Sequence, residues 1–253
     1  MNIKDHSSTN IKISNFAICI VFSLVLAVLV ANRSYAENSF PDSSGSNIID
    51  NKKTSTDSIF DIDGNVYATV VIGTQIWFVE NLKVTRCRNG HEFSYVSDDT
   101  SWSVWADGAY CWCNNDSLNN ELYGALYNFA AVADSCGLCP KGWHVPTKSD
   151  WENLIASLGG DEIAGGKLKE VGIVHWNYPN VGATNESGFW GLPGGGRGQI
   201  SGCGEIGEYA TWWSSTPYNS TYAWHYGLYH KSSKMRYNPG HRASGFSVRC
   251  IKD

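Results

Sequence analysis

The sequence predicts an α+β domain, on three observations. Two early segments, Val66 to Ile72 and Gln75 to Val79, flank Gly73-Thr74 as a hairpin. Two later stretches carry helical apolar spacing, and residues 211–251 return to short aromatic strands.

Ordered sequence starts near Ile59. Asp61-Ile62-Asp63-Gly64-Asn65 opens like an oxygen-ligand loop for calcium. An EF-hand loop, however, places Gly sixth and Glu twelfth, whereas here Gly64 is fourth and Ile72 twelfth, so the segment reads as a tight turn. From Glu121, the residues Leu122, Ala125, Leu126, Phe129 and Ala133 mark one buried helix face. A second helix follows Thr147 as cap, with Asp150 at the capping-box position and an apolar stripe of Trp151, Leu154, Ile155 and Leu158. Gly159-Gly160 ends it, and Ile163 to Val171 adds a short helix interrupted by Gly165-Gly166. Thr211 to Ser215, Tyr222 to Tyr229, Lys234 to Tyr237 and Phe246 to Ile251 are the late strands, the middle two separated by residues 230–233. Trp143 anchors the segment before the capped helix and Trp151 starts its stripe, which makes both core positions.

The N-terminus sets the compartment. Lys4 and Lys12 precede an apolar run from Phe16 to Val30, and Ser34 and Ala36 form a small-residue cleavage site, the pattern of a secretory signal peptide over residues 1–36. The run is shorter than the roughly 20 residues of a membrane-spanning helix. Residues 37–57 are polar and rich in Ser, Asn and Asp, a flexible spacer, and residues 58–253 form one domain. Cleavage removes more basic than acidic side chains from a chain of net charge −5. Such an acidic exported chain has no general attraction to nucleic acid and, once cleaved, no segment for membrane insertion.

Seven cysteines lie beyond the leader: Cys87, Cys111, Cys113, Cys136, Cys139, Cys203 and Cys250. In an exported chain they read as a disulfide framework with one thiol over, and spacing leaves the pairing open. Cys136-x-x-Cys139 has thioredoxin spacing but follows a helix and leads into Pro140, so it reads as structural. Together with Cys111 and Cys113 it could instead make a four-thiolate zinc site. The histidines show no metal-ligand spacing, and no cofactor is expected. The Gly-rich run around Arg197 lacks the Lys-Ser/Thr ending of a phosphate loop and reads as a turn in which Arg197 packs or pairs.

The chain holds 11 Trp, 13 Tyr and 9 Phe beside 26 Gly, a mixture that suits both an aromatic core and a sugar-binding surface. Along the strand 222–229, Tyr222, Trp224, Tyr226 and Leu228 point one way and Ala223, His225, Gly227 and Tyr229 the other; the larger row is expected in the core. A ligand is expected on the face built by residues 211–237, where Trp213, Tyr229, His230 and Arg236 share short strands with little helical cover.

Six ordered motifs carry a resemblance: Val71-Ile72-Gly73-Thr74-Gln75-Ile76-Trp77-x-x-Glu80-Asn81-Leu82; Tyr123-Gly124-Ala125-Leu126-Tyr127-Asn128; Cys139-Pro140-x-Gly142-Trp143-His144-Val145-Pro146-Thr147; Gly188-Phe189-Trp190-Gly191-Leu192-Pro193-Gly194-Gly195-Gly196-Arg197; Trp212-Trp213-Ser214-Ser215-Thr216; and Gly245-Phe246-Ser247-Val248-Arg249-Cys250. In this order they resemble the Fibrobacter succinogenes major paralogous domain, a family of exported bacterial proteins without an established activity. More distantly, Trp143 to Trp151 and Gly245 to Arg249 are similar to motifs of the formylglycine-generating-enzyme group, whose fold is C-type-lectin-like. That resemblance implies adjacent strands at the two chain ends, two helices beside them, a small curved antiparallel sheet, and partners engaged at the late sheet. Cys139 precedes the central strand, Cys250 sits in the terminal strand, and both belong to the motifs shared with the Fibrobacter succinogenes major paralogous domain, so a disulfide between them is expected. The copper-binding cysteine pair of that group precedes its Gly-Phe-x-x-Arg strand, and here no cysteine lies between Cys203 and Cys250, so its catalysis does not carry over. The expected function is non-catalytic binding of a polysaccharide or other surface polymer, independent of calcium. The alternative is a structural or protein-interaction module of the envelope.

Overall fold

A computed structural model describes residues 58–253; the leader and spacer expected over 1–36 and 37–57 lie outside the described residues. The first strands, β1 (Ile59–Phe60) and β2 (Val66–Tyr67), pair across the Asp61 turn. The Asp61 carboxylate accepts from the backbone N–H groups of Asp63 and Asn65, from the Asn65 side chain and from the Tyr67 hydroxyl, at 2.7–3.0 Å. Its oxygens therefore serve the turn itself. The hairpin follows as β3 (Thr69–Ile72) and β4 (Gln75–Phe78), with Ile72 opposite Gln75 across Gly73-Thr74. The expected strand from Val66 is split at Ala68.

Next come β5 (Ser94–Tyr95), the Asp98-capped helix α1 (Asp99–Val104) and β6 (Ala109–Cys111), which pairs parallel to β5. The helix expected from Glu121 onward is three elements: α2 (Ser117–Tyr123), β7 (Leu126–Tyr127) and α3 (Phe129–Val132). Gly124 breaks it with φ 78°, where a Cβ would lie 2.8 Å from the Leu82 carbonyl oxygen. Tyr127 then pairs with Tyr110, and the Asn128 side chain caps α3 by accepting from the Ala131 N–H at 3.0 Å. The helical spacing misleads because Leu126, in the strand, and Phe129, in the next helix, both turn inward, while Leu122 is 43% exposed.

After β8 (Trp143–His144), α4 (Lys148–Ser157) starts at the capping box. Thr147 Oγ1 accepts from the Asp150 N–H, and the Asp150 carboxylate accepts from the Thr147 N–H at 2.8 Å. Helix α5 (Asp161–Leu168) runs straight through Gly165-Gly166. Those glycines are a packing surface rather than an interruption: added Cβ atoms would meet the Lys234 carbonyl at 2.5 Å and the Gly182 carbonyl at 2.2 Å.

The remaining strands are β9 (Gly196–Arg197), β10 (Cys203–Gly204), β11 (Tyr209–Pro217), β12 (Tyr222–Tyr229), β13 (Arg236–His241) and β14 (Ile251–Lys252). Mixed α and β structure with small, mostly antiparallel sheets results. The two largest are β3-β4-β14-β8 and β11-β12-β13. Residues 246–250, expected as strand, cross between sheets, making single bridges from Phe246 to Tyr127 and from Ser247 to Trp212 before β14 joins β4. Arg249, 1% exposed, fixes this crossing: its Nε and Nη2 donate to the Asn81 side-chain oxygen at 3.1 and 2.8 Å, and Trp212 donates to the same oxygen at 2.7 Å. Its guanidinium lies 4.0 Å over Phe189.

Three disulfides close the domain: Cys87–Cys136, Cys113–Cys203 and Cys139–Cys250. The last is the pair implied by the family motifs. Cys111 is the thiol left over, and it is buried. The four-thiolate zinc alternative falls here, because Cys113, Cys136 and Cys139 are each bonded to a different partner. Arg197 is almost wholly buried and pairs, donating to the carbonyls of Val96 and Ser97 and to the Asp99 carboxylate at 2.6 Å.

The β11-β12-β13 sheet lies between two cores. Ala210, Trp212, Tyr226 and Leu228 join Trp151 and Leu154 of α4 on one side, while Trp213 and Ala223 join Phe129 and Val248 on the other. His225 faces the second core, 4.7 Å from Phe246, with Nδ1 buried and without a hydrogen-bond partner. Burial pushes its pKa down to about 4 from an ordinary 6.5. As pH falls from 6.5 towards 4 the unfolded chain takes up a proton that the folded one refuses, so stability falls through this window and levels off below it. At about 1.4 kcal/mol per pH unit the loss is about 3 kcal/mol. Chemical denaturation at pH 7 and pH 4 checks this; a His225→Gln variant is expected to flatten the slope, and an unchanged slope would acquit His225.

Candidate functional site

The double cover of the late sheet decides where ligand-facing residues can lie. Trp213 is fully buried: its ring packs 4.5 Å from Phe246, and Nε1 donates to the Tyr127 carbonyl at 2.7 Å. His230 is 4% exposed, with Nδ1 donating to the Tyr178 carbonyl at 3.0 Å. Neither can touch a surface ligand, and the expectation for both is corrected. The reason lies in the second core. The sequence shows little helical cover over residues 211–237, but the crossing segment and the one-turn helix α3 bury the face that α4 leaves open.

Tyr229 and Arg236 do reach the surface, together with Tyr209, which the sequence reading omitted. Tyr209 and Tyr229 stack at 4.5 Å across the β11–β12 pair, and the Arg236 guanidinium lies 5.2 Å over Tyr229. Beneath them Lys169, fully buried, donates to the carbonyls of Val181, Tyr229 and Ser232 and holds this end of β12. Burial pushes its ammonium pKa down to about 8. The three carbonyls give each ammonium hydrogen a structural partner.

A larger exposed surface continues the other row of β12. Tyr226 is buried, stacked on Trp151 at 5.0 Å, but α4 begins at Lys148 and its cover stops there. The row runs on past the helix end into Trp224 and Tyr222. Tyr218, 55% exposed, stands edge-on to Trp224 at 5.3 Å, and Tyr237, 42% exposed, lies 6.5 Å from the same indole. Lys148 Nζ sits 5.4 Å over Trp224. The Tyr237 hydroxyl donates to the Asp161 carboxylate at 3.1 Å, which holds that phenol above its ordinary pKa. Thus Tyr218, Tyr222, Trp224 and Tyr237 form an aromatic platform edged by a cation and a carboxylate. Expecting the whole larger row in the core was right for Tyr226 and Leu228 and wrong for Tyr222, which is 40% exposed.

The chain matches the profile of the Fibrobacter succinogenes major domain over residues 70–252. The chain belongs to that family. No curated protein and no solved structure matches it. In this member of the Fibrobacter succinogenes major domain family, the central motif supplies Cys139 of the long disulfide and the capped start of α4, and the terminal motif supplies the Arg249 crossing and Cys250. Of the motif residues that carry these features, Cys139, Arg249 and Cys250 are buried and Thr147 is half-buried, and all of them build the scaffold. Tyr218, Tyr222, Trp224 and Tyr237 of the platform lie outside the six motifs.

Proposed function

We propose that the protein is an exported, non-catalytic glycan-binding module of the cell surface, with a C-type-lectin-like arrangement. The aromatic platform carries this reading. Four rings left at the surface where the cover of α4 stops, flanked by Lys148 and Asp161, offer the apolar faces and polar edges with which a pyranose ring is held. Support for export comes from the leader pattern and from three disulfides, which persist in an oxidising compartment. Support for the C-type-lectin-like arrangement comes from the pairing of the terminal strand β14 with the early strand β4.

The test is affinity electrophoresis against plant and host polysaccharides. Trp224→Ala and Tyr237→Ala are expected to abolish retardation with the melting temperature within a degree or two of the parent. EDTA is expected to have no effect. Retardation that survives both substitutions places binding elsewhere, and absence of binding to any polymer favours a structural module of the envelope.

A further inference from the structure

Beside the β11–β12 turn a groove of ≈ 400 Å³ opens, lined among others by Trp105, Phe129, Ser220, Thr221, His241 and Arg242. It adjoins the platform, because Tyr222 stands edge-on to His241 at 5.6 Å. Although the chain carries a net charge of −5, no carboxylate side chain lines this groove.

Arg242 sets it apart from the rest of the surface. Of the arginines among the described residues, Arg86 pairs with Asp63, Arg88 donates to the carbonyls of Cys139 and Trp143, Arg197 pairs with Asp99, Arg236 reaches the Tyr209 hydroxyl and Arg249 holds Asn81. The Arg242 side chain alone has no acceptor: its guanidinium lies 4.9 Å over Phe129, and its Nε is buried and unpartnered. An arginine left without an acceptor in a groove costs free energy that an incoming anion with matching geometry recovers. His241 is arranged to donate as well. Its Nδ1 accepts from the Ala243 N–H at 3.1 Å, which leaves the proton of the neutral ring on Nε2. The hydroxyls of Ser220 and Thr221 and the 38% exposed ring of Trp105 complete the lining.

Resting on the glycan reading, we propose that this groove takes the carboxylate of a hexuronic acid residue, so that the bound polymer is an acidic polysaccharide. The guanidinium fork meets the carboxylate, His241 and the two hydroxyls meet the ring oxygens and hydroxyls, and Trp105 offers an apolar face to the sugar. From there the polymer crosses the β11–β12 turn onto Tyr222 and Trp224. A peptide carboxylate could use Arg242 equally, but the aromatic platform continuous with the groove favours a repeating chain of rings.

Isothermal titration with oligogalacturonate and hyaluronan hexasaccharides, against cellohexaose as the neutral match, tests this on the purified protein. At least one acidic oligomer is expected to bind about tenfold or more tighter than the neutral one, with affinity that falls as salt rises. Arg242→Gln is expected to bring the acidic-to-neutral ratio back towards one, and Arg242→Lys, which keeps the charge without the fork, to give an intermediate ratio. Equal affinities in the parent, or an acidic preference that persists in both Arg242 variants, would overturn the uronate subsite and leave the glycan reading standing. Binding to none of the three oligomers would overturn the uronate subsite, and only together with absence of retardation by every polysaccharide would it overturn the glycan reading as well.

Discussion

Replacing Trp151 by alanine is expected to cost about 3–5 kcal/mol of folding stability, as large aromatic truncations in closed cores do. Trp151 is fully buried among four other aromatic rings. Its ring lies 4.9 Å from Trp77, 5.0 Å from Tyr226, 6.0 Å from Trp212 and 6.2 Å from Phe189. Those four rings come from β4, β12, β11 and the loop before β9, so the cavity left by alanine opens where four segments meet. None can move in without dragging its own element, because Trp212 is tied to Asn81 and the Phe189 carbonyl to Arg249. For a domain of this size the loss corresponds to a fall in melting temperature of roughly 10 °C. Differential scanning calorimetry measures it, with Tyr218→Ala as the surface control. A Trp151→Ala protein that melts with the parent would mean that these rings do not form one packed unit.

What the sequence disclosed follows the range of the interactions concerned. Helix α4 was legible to the residue because its cap and stripe are local chemistry: Thr147, Asp150 and the apolar positions act within one segment. The span of β12 was legible for the same reason. The helix expected from Glu121 failed because its spacing was a coincidence of three short elements. Only Gly124, pressed against Leu82, reveals the break, and that approach is between residues about 40 positions apart. Trp213 was misplaced by a sound local rule applied to half the information. Alternation says that Trp212 and Trp213 face opposite ways, and it cannot say that both faces are covered. Among the candidate site residues, Trp224, Tyr222 and Tyr237 stood in a visibly aromatic stretch. Arg242 and Trp105 did not, since a loop after α1 and the end of β13 meet only in three dimensions.

Removing the Cys139–Cys250 disulfide by a Cys139→Ala/Cys250→Ala double substitution is expected to be the most costly change among the three bridges. The bond closes a loop of sequence separation 111, against 49 for Cys87–Cys136 and 90 for Cys113–Cys203. In the chain-entropy treatment a loop of that length stabilises by about 4–5 kcal/mol, and its advantage over the 49-residue loop is about 0.7 kcal/mol. Packing adds to the difference. Cys139 and Cys250 are both buried among Phe78, Trp143 and Val248, so the substitution also leaves a void where the sulfurs stood. The bridge further pins the crossing segment at the point where Cys250 accepts from the Phe78 N–H at 2.9 Å, beside β14. Without it, the strand joining β4 to β8 keeps a ladder of one residue pair to β4 and two to β8, with the Phe78–Cys250 and Asp253–Gly142 backbone bonds and the Arg249 contacts beside it. Urea titrations of the three double-alanine variants give the ranking directly. The expected order of destabilisation places Cys139–Cys250 first, and a midpoint for that variant at or above that of the Cys87–Cys136 variant would show that loop closure and the buried sulfurs do not control the stability of this domain.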